Sequence, residues 1–211
     1  MEQAFDNLLN AASGRAIVQS SGNYYNRRIH TAGQIRPGET LTFDWLIHQS
    51  DQTPNQLEVW YSGRDVLDVE VSSPNGDIIC RVSLGGKRED LVYHGKLVGH
   101  VYHRKLEPNN HDNHITVYLY TQAPAGAWKI SLIARDIIDG RFNSWIERDW
   151  GSVRNQSTFN EDDAIPVCTT GTICNGCRTI AVGAYNPHSH RMRIAILPLI
   201  RYLSQLNNPV D

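Results

Sequence analysis

The sequence predicts pieces of a parallel-sheet α/β core on either side of an inserted all-β domain. Three observations lead there. A helix-like start runs directly into a short apolar run, "AIVQ". The middle of the chain then alternates polar and apolar residues in about eight short runs. Near the end a second short apolar run, "RTIAVG", breaks off in glycine.

At the start, Ala4, Phe5, Leu8, Leu9 and Ala12 recur at helical spacing, and Gly14 is placed to cap the helix. "AIVQ" follows, bounded by Gly14 and Gly22. A helix feeding an apolar strand is the grammar of an α/β sheet. From about residue 38 the period changes to two. "ETLTFDWLI" sets Leu41, Phe43, Trp45 and Ile47 on one side. "QLEVWY" does the same with Leu57, Val59 and Tyr61, and "VLDVEVS" with Leu67, Val69 and Val71. "IICRVSL", "KLVGHVYH", "HITVYLYT", "WKISLIA" and "RFNSWIE" continue the series, punctuated by "SPNGD", "EPNNHDN", "APAG" and "IIDG". Short strands at regular spacing mean an antiparallel sandwich or barrel. "RTIAVGAYN" then has the apolar run and small residues of a buried parallel strand. The expected divisions are 1–24, the inserted β domain at 25–150, a returning segment at 151–195 and a divergent tail at 196–211.

The composition is that of an ordinary globular chain: 211 residues, 40% hydrophobic, 20% charged, net charge −2. No basic surplus argues for nucleic acid. No run approaches the roughly 18–20 apolar residues of a membrane-spanning helix. Glu2 stands where a signal peptide has basic residues, so no signal peptide is expected. That fits an intracellular protein or a chain that begins partway through a longer product.

"GRAIVQSSGN" and "RTIAVGAYN" resemble two consecutive core segments of subtilisin-like serine peptidases, the subtilase family. "VEVSSPNGD" and "AGAWKISLIARDIIDGRFNSWIERD" between them look like the jelly-roll P domain of proprotein convertases. The resemblance implies a partial peptidase catalytic domain with an inserted jelly roll, acting in the intact family on peptide or protein substrates. It implies that Asn23 donates to the oxyanion of a tetrahedral intermediate. It further implies that Ser20, Ser21 and Gly22 line the adjoining substrate pocket. Read as residues alone, Ser-Gly-Asn is an ordinary turn after a strand. The family's nucleophile string is missing, and only a short stretch precedes Asn23 to hold its Asp and His. The chain is therefore expected to be inactive by itself. The alternative is a β-sandwich module that binds carbohydrate or protein, or a catalytically dead scaffold.

No cofactor is expected. Cys168, Cys174 and Cys177 cluster in "CTTGTICNGC", but a matching second pair is missing. A local disulfide or free thiols are expected ahead of a zinc site completed by His188 or His190. His111 and His114 have ligand-like spacing. His100 and His103 lie three apart on a predicted strand and so point to opposite faces. His30 follows Asn23 in the chain, on the wrong side for the family's base. Trp45, Trp60, Trp128, Trp145 and Trp150 suit either a sandwich core or a carbohydrate platform, with the core expected on strand positions.

Overall fold

Alternation in the middle of the chain becomes a run of strands whose apolar phase turns inward. The computed structural model describes residues 2–147, 156–171 and 174–183. The chain divides into two units. The first to consider is Arg28–Ile165, which is all β. Its strands are β2 (His30–Gln34), β3 (Thr40–Ile47), β4 (Asn55–Tyr61), β5 (Val66–Ser72), β6 (Ile78–Ser83), β7 (Glu89–Tyr93), β8 (Lys96–Arg104), β9 (Asn113–Leu119), β10 (Gly126–Asp136), β11 (Arg141–Ile146) and β12 (Thr158–Phe159).

These strands make two antiparallel sheets, one in the order β12-β3-β10-β5-β6 and one in the order β2-β11-β4-β9-β8-β7. The inward residues of both sheets form one apolar core. Trp45 and Trp128 pair across β3 and β10 and are fully buried. Leu57 and Val59 enter from β4, and Ile115, Val117 and Leu119 from β9. Phe43 of one sheet stacks on Phe142 of the other, with ring centroids 6.0 Å apart. Face-to-face packing of two such sheets is a β-sandwich. Each outward phase must then meet solvent or a ligand. On the five-stranded sheet it is ionic: Lys129 pairs with Asp44, Arg135 with Asp68 and Arg81 with Glu70.

Among the connections that cross between the sheets are β4 to β5 and β10 to β11. Buried Asp65 joins them. Its Oδ1 accepts the N–H of Ile138 at 2.7 Å and of Asp139 at 2.9 Å, and its Oδ2 accepts that of Gly140 at 2.7 Å. Gly140 has φ +77, and a side chain there would collide with the Ile35 carbonyl. Asn113, fully buried, donates to the carbonyls of Ser62 and Asp65 and accepts the N–H of Leu106.

The second unit consists of the described residues up to Arg27 and from Pro166. It holds the helix α1 (Glu2–Asn10) and two three-residue strands, β1 (Val18–Ser20) and β13 (Ile180–Val182), paired in parallel. Asp6 on α1 accepts the N–H groups of Cys177 and Arg178. The expected α/β fold class is corrected here. The described chain is nearly all antiparallel β, with one helix, and these two short strands are not a parallel-sheet core. Val18, Ile180 and Val182 are about half exposed or more, whereas a parallel sheet is normally buried on both faces. The short runs bounded by glycine looked like buried strands because brevity and apolarity do not by themselves report burial. The divergent tail, and the returning segment beyond Gly183, lie outside the described residues.

One buried histidine makes stability depend on pH. His103 is 1% exposed and sits against Tyr61, whose hydroxyl lies 2.6 Å from Nε2. Its Nδ1 faces the Val82 carbonyl at 3.4 Å, so Nδ1 carries the proton and Nε2 accepts from Tyr61. Burial pushes the imidazole down to about 4. The unfolded chain therefore binds this proton more readily than the folded one. Stability is intact above about pH 6.5 and falls as pH drops toward 4, by about 3 kcal/mol in all. Urea melts across that window will show the slope, and His103→Gln will flatten it. Separately, Asp65→Asn will lower the unfolding free energy by about 3 kcal/mol, because buried N–H groups lose a charged acceptor. Asp139→Asn, at an exposed ion pair, will cost about 1 kcal/mol or less in the same melts.

Candidate functional site

The outward phase of the six-stranded sheet is aromatic where the other sheet is ionic. Because Leu57, Val59 and Tyr61 of β4 fill the core, Gln56, Glu58 and Trp60 must face out. By the same alternation β9 presents His114, Thr116 and Tyr118, and β8 presents His100, Tyr102 and Arg104. The register sets them in rows. Trp60 lies opposite His114, which lies opposite Arg104. Gln56 lies opposite Tyr118, which lies opposite His100. Tyr102 occupies the row between, opposite Thr116.

The rings touch. Trp60 stacks on His114 with centroids 3.9 Å apart and planes 14° from parallel. His100 and Tyr118 stack at 5.1 Å, and His100 also contacts Tyr102 and Tyr120. Arg104 lies over the Tyr102 ring at 5.3 Å. At one residue per 3.3 Å and one strand per 4.8 Å, Trp60 and Tyr118 stand about 14 Å apart, so the patch is elongated.

Charges on this face are mostly tied to each other. Glu58 accepts from Gln56 at 3.0 Å and from the Trp60 indole at 3.1 Å, and lies 3.6 Å from His114. Burial by itself would raise the Glu58 carboxyl, but hydrogen bonds from His114 and Trp60 outweigh it and hold the group below its ordinary value. Glu107 lies within 3.5 Å of both His114 and Arg104. Arg88 pairs with Asp90. Burial and the Arg88 charge together hold His100 below its ordinary value, favouring the neutral ring. The Tyr120 hydroxyl lies 3.1 Å from His100 Nδ1 and 3.5 Å from Arg88 Nη2. With Arg88 donating to that hydroxyl, its own proton goes to Nδ1, and His100 Nε2 carries the hydrogen as an outward donor. Such a face offers ring planes for stacking and hydroxyl, amide and imidazole groups for directed hydrogen bonds.

A structure search finds this arrangement of strands in the CspB protease of Clostridium perfringens, at 19% identity and a TM-score of 0.71, over 87% of this chain and 38% of that one. The chain shares its fold with part of a protease. At that identity the likeness concerns the fold alone, and the chain spans less than half of its neighbour's length. No family model matches the chain, and no curated protein matches it either. The subtilase assignment drawn from two short motifs is therefore corrected: no family model carries it, and the described fold is antiparallel β.

Ser20, Ser21, Gly22 and Asn23 lie at the end of β1. The Ser21 N–H donates to Val182, and Ser20 Oγ accepts from the Gly22 N–H. Gly22 has φ +83, with Gly171 and Tyr24 packed around it, and Asn23 is exposed. The oxyanion and pocket roles expected of them rest on the motif resemblance alone. Cys174 is buried, Cys168 is partly buried and Cys177 is exposed. Among the described residues no group of three or more His, Cys, Asp or Glu is placed to hold a metal. His188, His190 and Trp150 lie outside the described residues. His111 is exposed while His114 is buried against Trp60, and His100 and His103 occupy opposite faces of β8. His30 packs on Trp145, with Asn143 and the Ile165 carbonyl at its two nitrogens.

Trp45 and Trp128 are core residues, whereas Trp60 and Trp145 face outward, and sequence reasoning did not separate the two pairs. The signal was present in "QLEVWY": once Leu57, Val59 and Tyr61 are inside, Trp60 is out of phase with the core. Acrylamide will accordingly quench part of the tryptophan emission, and Trp60→Phe will shrink that part while leaving the shielded emission of Trp45 and Trp128 intact.

Proposed function

We propose that the chain is the recognition module of a protease-related polypeptide and that it binds carbohydrate on the outward face of the six-stranded sheet. One observation carries the reading: two clusters of rings, Trp60 stacked on His114 and His100 with Tyr102, Tyr118 and Tyr120, lie on the outward phase of the six-stranded sheet. A sugar ring has an apolar C–H face to stack on such rings and a hydroxyl rim to meet their polar edges. The charge balance supports a neutral ligand. Glu58, Glu107, Asp90, Arg88 and Arg104 are engaged with one another or with neighbouring donors, and a polyanion would need free cations along its track. The all-β unit, Arg28–Ile165, is the proposed binding domain, with the flanking segments belonging to the remainder of the polypeptide.

Calorimetry against β-linked glucose, xylose and N-acetylglucosamine chains tests this. The wild-type chain will bind at least one of them. Tyr118→Ala and Tyr102→Ala will each weaken that binding about tenfold, the scale of one lost stacking contact. Their melting temperatures will stay near the wild-type value because neither residue belongs to the core. Failure to bind any neutral glycan would sink the proposal.

A further inference from the structure

A bulge re-aims one side chain at the edge of the aromatic face. Leu91 lies opposite Gly99, but Val92 lies opposite Leu97, so β8 carries one extra residue, Val98. Val98 is buried in the core. Gly99 also turns inward beside Leu91, where a side chain would collide with the Tyr118 carbonyl. Strict alternation from His100 would have sent Leu97 into the core, and the extra residue brings it out instead. Leu97 is 40% exposed and Val92 50%, an aliphatic cross-strand pair at the margin of the rings.

A donor and an acceptor stand beside that pair. His100 and Asp90 are directly opposite each other on β8 and β7. His100 turns Nδ1 to the Tyr120 hydroxyl, and its Nε2, the outward donor, has no partner among the described residues and is open to solvent. Arg88 holds Asp90 through Oδ1, and among the described residues Oδ2 is left as an open acceptor. Asp90 and Val92 are two residues apart on β7, about 7 Å along the strand, so the polar and aliphatic pairs adjoin. Tyr118 and Tyr120 contact His100 from the β9 side. Donor, acceptor and aliphatic pair match the three parts of an acetamido group: carbonyl, N–H and methyl. We infer that this corner is an acetamido subsite and that the ligand is a glycan of 2-acetamido sugars, with His100 Nε2 donating to the carbonyl, Asp90 Oδ2 accepting the N–H and Val92 with Leu97 covering the methyl. The inference rests on the carbohydrate reading of the face. The neighbouring tyrosines supply the plane on which the sugar ring stacks. A glucose unit has only a hydroxyl there, which leaves the aliphatic pair uncovered.

Calorimetry on the full chain compares two β-linked tetrasaccharides, of N-acetylglucosamine and of glucose, which differ in that one substituent. The acetylated chain will bind about tenfold more tightly, the scale of one hydrogen bond and one buried methyl. His100→Phe keeps a ring but removes the donor, and Leu97→Ser removes the aliphatic seat. Each will cut the preference about threefold or more. Tyr118→Ala will weaken both tetrasaccharides together and leave the preference in place. If the wild-type chain binds the two alike, or if either variant keeps the full preference, the inference is overturned, with the face reading intact as long as Tyr118→Ala weakens binding. An acetylated dipeptide that displaced the oligosaccharide at equal concentration would assign the corner to a peptide amide and also overturn the inference. If the wild-type chain binds no neutral glycan, both are overturned.

Discussion

One buried carboxylate holds together two of the places where the chain passes between sheets. Asp65 ends the crossover from β4 to β5, and it captures three consecutive backbone N–H groups of the crossover from β10 to β11. Without an acceptor those groups would be stranded at the edge of an apolar core. Satisfying them sets β11 beside β4 in one sheet and β10 beside β5 in the other. Asn113, at the start of β9, fastens the same corner from the third side. The rows of outward side chains depend on that register. A one-residue slip of β4 or β9 would turn Trp60 and Tyr118 into the core and Leu57 and Val117 out to solvent.

The two outward faces obey the same alternation and carry different chemistry. On the five-stranded sheet, cross-strand ion pairs such as Lys129 with Asp44 keep the surface hydrated. On the six-stranded sheet, rings occupy the equivalent positions, and the charges among them are drawn inward onto one another. Solubility alone does not call for large rings on an outward phase, and the proposed binding role rests on them.

Most of the sandwich was legible in the chain. Runs such as "ETLTFDWLI" and "QLEVWY" state both the strand and the buried phase, because a half-buried strand has no other way to divide its residues. The flanks were not legible. "AIVQ" and "RTIAV" are too short for periodicity to separate a buried strand from a marginal one, and Val18 and Ile180 turned out exposed. The same brevity let four or five familiar residues suggest a family that no family model supports. Of the binding face, "QLEVWY" held the phase of Trp60. The convergence of His100, Tyr102, Tyr118 and Tyr120 required knowing that β8 and β9 are neighbours in that register.

By itself the sequence determined which residues of each strand are buried, where the turns fall and that the middle of the chain is β, since all of these follow from local period and turn chemistry. Tertiary structure alone decided strand order, register and which strands share a sheet. Those are long-range choices, made by which buried groups find partners: Asp65 with the backbone of residues 138–140, and Asn113 with the carbonyls of Ser62 and Asp65. The aromatic face exists only after those choices, because it sets β4 beside β9 and β8, strands far apart in the chain.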